Sequence, residues 1–323
     1  MADSAARNAS ATLPGKSRDK SSLSRWLISG PPLLYLILFF AIPTLIMVVA
    51  AFRFPGDYGG LAPLFDEAGK LDLTLDSFTP FFTDFVYTEI FLKSLLFAVI
   101  TTVVCLIFAY PVALLIARSP KRWRNLLVLL VILPFWSNFL IRVYAWMIIL
   151  GPQSALNKGL NALLALVGMP PVTLLYSAFA VIVGLVYVHL PFMVLPLYAN
   201  LEKHDPALLD AAQDLGAGKW QSFWRITFPL SLPGIYAGAA LVFIPALGIF
   251  AVSDILGGTG GIMIGNVIKQ QFLESRDWPF GSVLSIMLTV AALAAAGLAA
   301  WMASPRRAAP RRASPRRNKQ GTT

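Results

Sequence analysis

The chain has 323 residues, 57% of them hydrophobic and only 13% charged, with a formal net charge of +10. Soluble domains carry about 25% charged residues, so this composition excludes an ordinary water-soluble globule and points to lipid as the solvent. The single cysteine, Cys105, excludes an intrachain disulfide.

A transmembrane helix needs about 20 mostly apolar residues to cross a hydrocarbon core about 30 Å thick. Six stretches meet that need, at about Pro31–Phe52, Phe91–Ala117, Leu126–Leu150, Leu174–Ala199, Leu232–Val252 and Ser282–Met302. Runs this long exclude barrel strands, and only helices or closed barrels satisfy every backbone group in lipid. The expected fold class is an all-α integral membrane protein with six transmembrane helices. Residues 26–303 read as one six-span domain, with no internal repeat and no second domain.

Ahead of the first span, residues 1–25 are rich in Ser, Ala and basic side chains and too poor in apolar ones to fold. They read as a disordered N-terminus. The apolar run that follows is too long for a secretion signal, and no clear A-x-A site ends it. The charge then falls into place along the chain. Basic residues precede the first span (Arg7, Lys16, Arg18, Lys20, Arg25) and lie between spans two and three (Arg118, Lys121, Arg122, Arg124). Others lie between spans four and five (Lys203, Lys219, Arg225), and seven follow the last span, from Arg306 to Lys319. The positive-inside rule makes this side cytoplasmic and places both termini there. The basic excess is thus topology, and no nucleic-acid binding is expected. Residues 304–323, containing SPRRAAPRRASPRR, read as a disordered basic tail, either merely solvated or drawn to anionic membrane lipid.

Residues 201–231 form a sizeable cytoplasmic loop. Asp205-Pro206 has the form of a helix start, with a capping carboxylate and a proline at the first position. Leu208, Leu209, Ala211, Ala212 and Leu215 follow at helical spacing, and Gly216 is a left-handed stop. Lys219, Trp220, Phe223, Trp224 and Arg225 suit a lipid interface, and Pro229 and Pro233-Gly234 are expected to turn the chain into span five. The pattern alone leaves two readings: a helix resting on lipid, or a helix docked in a partner's groove that carries movement into the attached spans.

The run DAAQDLGAGKWQSFWRITFPLSLPG, Asp210–Gly234, resembles the "EAA" loop of importer permeases in the ATP-binding-cassette (ABC) superfamily. That pattern is E-A-A, three residues, G, nine residues, I-x-L-P. Here Asp210, Ala211, Ala212, Gly216, Ile226 and Pro229 keep the spacing, with Asp in place of Glu at 210 and Phe in place of Leu at 228. The resemblance implies a permease domain whose loop helix couples to a partner ATPase. The chain has no phosphate-binding GxxxxGK[ST] motif, so ATP and Mg belong to that partner, and no cofactor is expected here. It further implies two ATPase copies, a second permease subunit (identical or paralogous), a periplasmic substrate-binding protein and a bacterial inner-membrane location. Asp210 would contribute a polar contact to the ATPase.

Three further segments resemble the spermidine/putrescine permeases: LPFWSNFLIRVYAWMIILG (Leu133–Gly151), YVHLPFMVLPLY (Tyr187–Tyr198) and LGGTGGIMIGNVIKQQFLESRDWPFGSVLSI (Leu256–Ile286). Polyamines are chains of CH₂ groups carrying ammonium charges, and a path for them wants carboxylates or amide oxygens along aromatic walls. Span three offers Trp136, Asn138, Tyr144 and Trp146; the last outer loop offers Asp254, Asn266, Glu274, Asp277 and Trp278. The competing reading places the aromatics at the membrane interface or in packing. Arg142, a cation in span three, either snorkels outward, pairs with an acid such as Asp254, or belongs to an anion path, which would favour sulfate or phosphonate; ferric iron is a further alternative substrate. His189 reads as a packed histidine at the Pro191 kink. An ion-coupled secondary transporter would show ionisable groups in several spans, and none beyond these two is seen. No nucleophile–base pair or metal-ligand spacing appears, so neither catalytic nor metal-binding residues are assigned.

Overall fold

The computed structural model describes residues 29–65 and 69–303; the two segments expected to be disordered, 1–25 and 304–323, lie outside them. Among the described residues the regular structure is helical, apart from two isolated bridges, Pro55 with Leu61 and Phe65 with Leu71. Six helical stretches among the described residues are long and apolar enough to cross a membrane.

The first, α1 (Ser29–Ala51), stands as a unit by itself. It contains a π-helical turn at Ile37–Ala41. Pro43 has no N–H to give and its ring crowds the carbonyl four residues back, at Phe39; widening the helix there accommodates both. The same device recurs later in the chain.

The remaining helices form the second unit. A short helix, α2 (Thr79–Thr83), precedes α3 (Phe85–Arg118). The carboxylate of Asp84 accepts from Val86 N at 3.1 Å, which starts α3 six residues earlier than expected. Next come α4 (Lys121–Ile132), α5 (Phe139–Leu150), α6 (Ala155–Leu166) and α7 (Ala178–Leu201). The cytoplasmic-loop helix is α8 (Ala207–Asp214). It is followed by α9 (Lys219–Gly248), α10 (Ala251–Leu256), α11 (Ile264–Leu273) and α12 (Trp278–Ala303).

Two expectations are corrected. The run Leu126–Leu150 is two helices: α4 ends at Ile132, a 3₁₀ turn covers Leu133–Trp136, and Ser137 is extended. Pro134 forces that tight turn, and the Asn138 side chain, accepting from Leu140 N at 2.8 Å, restarts the chain as α5. The third long apolar stretch is accordingly Phe139–Leu166, running through α5 and α6. The fifth starts at Lys219 rather than Leu232. Pro229 and Pro233 do not turn the chain; they lie inside α9, whose π turn at Phe223–Thr227 includes Arg225, four residues before Pro229.

The densest packing joins α3, α7 and α9, through Cys105, Ala109, Ala113 and Ile116 on α3, Met193, Val194 and Leu197 on α7, and Ile235 and Val242 on α9. Small residues permit this. A Cβ on Gly238 would sit 2.7 Å from Met193 Sδ, and, where α7 meets α10, one on Gly184 would sit 2.6 Å from Leu256 Cδ1. In lipid, helices gain by close van der Waals contact rather than by hydrophobic exclusion, so small residues mark the interfaces. The opposite faces carry exposed Leu92, Leu96, Val103, Ile107 and Phe108, apolar side chains suited to acyl chains.

Candidate functional site

The chain positions two groups of interest, at opposite ends of α9. The first is the 201–231 loop. Asp205 Oδ1 accepts from Ala207 N at 3.0 Å, opening α8 where the sequence places its start. Gly216 adopts φ +82° and its N–H donates to Gln213 O at 2.8 Å, closing the helix by a left-handed turn. No residue of α8 is buried; Leu208 is 47% exposed and the following Leu215 89%, while Leu209 and Ala212 are half-buried, so its apolar stripe is only partly covered by this chain. Asp210 lies in the first turn and is exposed, as is Ala211, while Ala212 is half-buried. Ile226 and Pro229 belong to the start of α9, where the rings of Trp220, Phe223, Trp224 and Phe228 cluster, Trp224 and Phe228 being 5.0 Å apart.

Beneath α8 lies a cavity of about 500 Å³, lined by Arg118, Lys121, Leu208, Leu209, Ile226 and Thr227 among others. The helix therefore leaves space between itself and the bundle. Its base is fixed by charge: Arg124 donates to Glu202 at 2.6 Å and to the carbonyls of Ala117 and Ser119 at 2.8 and 3.3 Å, tying the ends of α3, α4 and α7. Hydrogen bonds from Tyr198, then from Arg124, hold the Glu202 carboxyl below the usual glutamate range.

The second group lies beyond the other end of α9. Asp254 on α10 accepts from Lys269 on α11 at 2.6 Å, and its other oxygen takes the amide of Asn266. Asn266 also accepts from Met263 N at 3.0 Å and donates to Phe250 O at 3.2 Å, so it both caps α11 and staples it to α10. The Lys269 ammonium lies 5.6 Å from the centre of the Phe250 ring. The hydrogen bond to Asp254 holds it charged above the usual lysine range. Its helix is anchored elsewhere by Ile264 N, which donates to Ser94 Oγ at 2.7 Å.

The other residues marked from sequence do not join this cluster. Asn138 and Asp277 are helix caps, Asp277 accepting from Phe280 N at 3.1 Å. Trp146 packs edge-on to Tyr187 at 5.6 Å within a core that includes Val143 and Leu185. Trp136, Tyr144 and Trp278 are exposed, and Glu274 ends α11, where its charge acts on Lys269. Arg142 does not pair with Asp254: its guanidinium lies over Phe135 at 4.8 Å, with Nε and Nη1 buried and without a partner among the described residues. His189 is buried, its Nδ1 2.8 Å from Leu185 O, the packed arrangement expected at a kink. Sequence reasoning missed Phe250 and Lys269. Their signal was the spacing, Phe250 four residues before Asp254 and Lys269 three after Asn266, which sets each pair on one helical face.

Apolar spans of this length, joined by a short loop helix with exposed residues, define a polytopic membrane protein. The family of the binding-protein-dependent transport system inner membrane component matches residues 109–307, and the chain belongs to that family. It is 45% identical over 256 residues to the spermidine/putrescine transport system permease protein PotB of Escherichia coli (strain K12), covering 79% of this chain and 89% of that protein. The PotB of Haemophilus influenzae is 43% identical over 79% of this chain and 86% of its own length. Among solved structures, a chain of a bacterial alginate ABC transporter, in complex with an alginate pentasaccharide-bound periplasmic protein, shares the fold. Its TM-score is 0.64 at 18% identity, covering 87% of this chain and 96% of that one. This chain is a multi-pass inner-membrane protein.

Proposed function

We propose that this chain is the permease subunit of an ABC importer for polyamines, lining part of the substrate path and coupling it to a partner ATPase. The observation that carries the reading is the 45% identity to a spermidine/putrescine permease over 79% of the chain. The basic residues before the first span, in the 201–231 loop and after the last span support a cytoplasmic side for both termini and α8. There α8 seats in an ATPase cleft, its exposed Leu208 and Leu215 meeting apolar groups and Asp210 a polar one. Two ATPase copies bind ATP and Mg, two permease subunits form the pathway about a two-fold or pseudo-two-fold axis, and a periplasmic protein delivers substrate.

Connectivity sets the mechanics. A push on α8 passes the Gly216 hinge into α9, which is helical from Lys219 to Gly248. Because Gly238 lies tight against Met193 of α7, and Gly234 against Asn200, α9 transmits displacement to α7 instead of sliding past it. The aromatic cluster at Trp220–Phe228 stiffens the start of the lever. Among the residues marked for the substrate path, Asp254 and Asn266 keep that role, beside the aromatic Phe250; Trp136, Tyr144, Glu274 and Trp278 keep it as exposed groups. Asn138, Trp146 and Asp277 serve as caps or packing, and Arg142 is structural. The test is uptake of labelled putrescine and spermidine by the reconstituted complex with ATP on the α8 side. ATP-independent uptake, or uptake of sulfate in place of polyamine, would overturn it.

A further inference from the structure

Resting on the polyamine reading, we infer that Asp254, Asn266 and Phe250 form a primary-ammonium subsite, and that Lys269 is its tethered occupant, exchanged for an ammonium group of the substrate. A primary alkylammonium offers N–H donors at the end of a methylene chain. It asks for a carboxylate to neutralise it and an aromatic face to replace its water. Lys269 already receives both. Its Nζ lies 2.6 Å from Asp254 Oδ2 and 5.6 Å from the Phe250 ring centre. Asn266 occupies the second oxygen of Asp254 and fixes the carboxylate's direction.

Three features make this an exchangeable site rather than a permanent clasp. Lys269 and Asp254 are 30% and 34% exposed, so a dissolved cation can reach the carboxylate. Ion pairs with this exposure are weak, and trading one primary ammonium for another conserves charge, hydrogen bonds and ring contact. The carboxylate's geometry is held by Asn266 and the capped start of α11, not by Lys269, so it persists when Lys269 swings away. The site also adjoins the lever. A Cβ on Gly265 would sit 2.7 Å from Gly248 O, so the end of α9 presses directly on the start of α11. Displacement of α9 thus reaches the helix that carries Lys269, and return of the tethered amine to Asp254 expels the substrate's ammonium. A cation unable to donate N–H bonds keeps the charge attraction but loses the hydrogen bond that an amine conserves, which favours amines over alkali-metal ions.

The test is equilibrium binding of labelled putrescine to the purified full complex without its periplasmic protein, beside ATP-driven uptake by the complete system. Removing the occupant with Lys269→Gln or Lys269→Met should tighten binding about fivefold, the factor by which a partly exposed ion pair favours its closed state. Asp254→Asn should abolish saturable binding, with Lys269→Gln adding nothing on top of it. Co-purification of the partner subunits checks assembly of each variant. The two Lys269 variants keep the test decisive where Asp254→Asn fails to assemble. Wild-type polyamine uptake together with unchanged binding in both Lys269 variants overturns the subsite alone. Absence of polyamine uptake by the wild type overturns the functional reading and the subsite with it.

Discussion

Gly216 gives the sharpest handle on coupling. Its φ of +82° lies in the left-handed region, and a Cβ added there would meet nothing within 4 Å. Alanine thus carries only the backbone penalty for a non-glycine residue in that region, about 1–2 kcal/mol, or roughly a 5- to 30-fold loss in the population of the native turn. Asparagine tolerates the region and costs less. Proline is a different perturbation: its ring sets φ near about −65° and removes the N–H that Gly216 gives to Gln213 at 2.8 Å. With the reconstituted complex, measuring uptake and ATP hydrolysis side by side, coupled uptake should fall in the order Gly, Asn, Ala, Pro. Gly216→Pro should remain inserted and hydrolyse ATP without transport. Wild-type uptake by Gly216→Pro, or an Asn variant worse than Ala, would refute the reasoning that the left-handed turn orients α8.

Gly238→Ala places a Cβ 2.7 Å from Met193 Sδ and 3.2 Å from the Met193 carbonyl, so the α7–α9 contact must open. A loss of about 1–3 kcal/mol is expected and should appear as earlier thermal unfolding in detergent. Because Glu202 has a depressed carboxyl pKa, its pairing contributes at neutral pH and is lost as pH falls through that depressed value. Protease cleavage of residues 201–218 should rise in acid for the wild type and be pH-insensitive in Glu202→Gln. Arg142→Gln should leave polyamine uptake without gain of sulfate uptake, since the guanidinium rests on Phe135; acquired sulfate transport in a labelled panel would return Arg142 to the path. Cys105 is fully buried between α3 and α7, so maleimide should modify it only after unfolding.

The sequence exposed those features that arise from local chemistry. The number of apolar spans, the Asp205 cap, α8 and the Gly216 turn match the sequence reading, whereas the third and fifth spans are displaced along the chain. Span edges moved where a cap was overlooked: Asp84 and Asp277 carry their helices beyond the apolar run. Proline was the harder signal. Pro134 breaks a run that hydropathy joins, whereas Pro229 and Pro233 sit inside a helix that their presence argued against, because a π turn accommodates the first. Hydropathy averages over such turns and cannot separate the two cases. In the outer cluster, Asp254 and Asn266 were marked individually, but their joining to Lys269 and Phe250 depends on α10 folding back on α11. Composition offered Arg142 a carboxylate partner, and only the fold gives that carboxylate to Lys269.

The measurement that bears most directly on the whole account is uptake by proteoliposomes containing this chain and its co-expressed partners, using labelled putrescine, spermidine, sulfate, ferric iron and an amino acid. ATP is supplied or withheld on the side carrying α8. The account predicts polyamine uptake that requires ATP and the partner ATPase. Transport of any of these solutes by this chain alone, driven by an ion gradient, would contradict it.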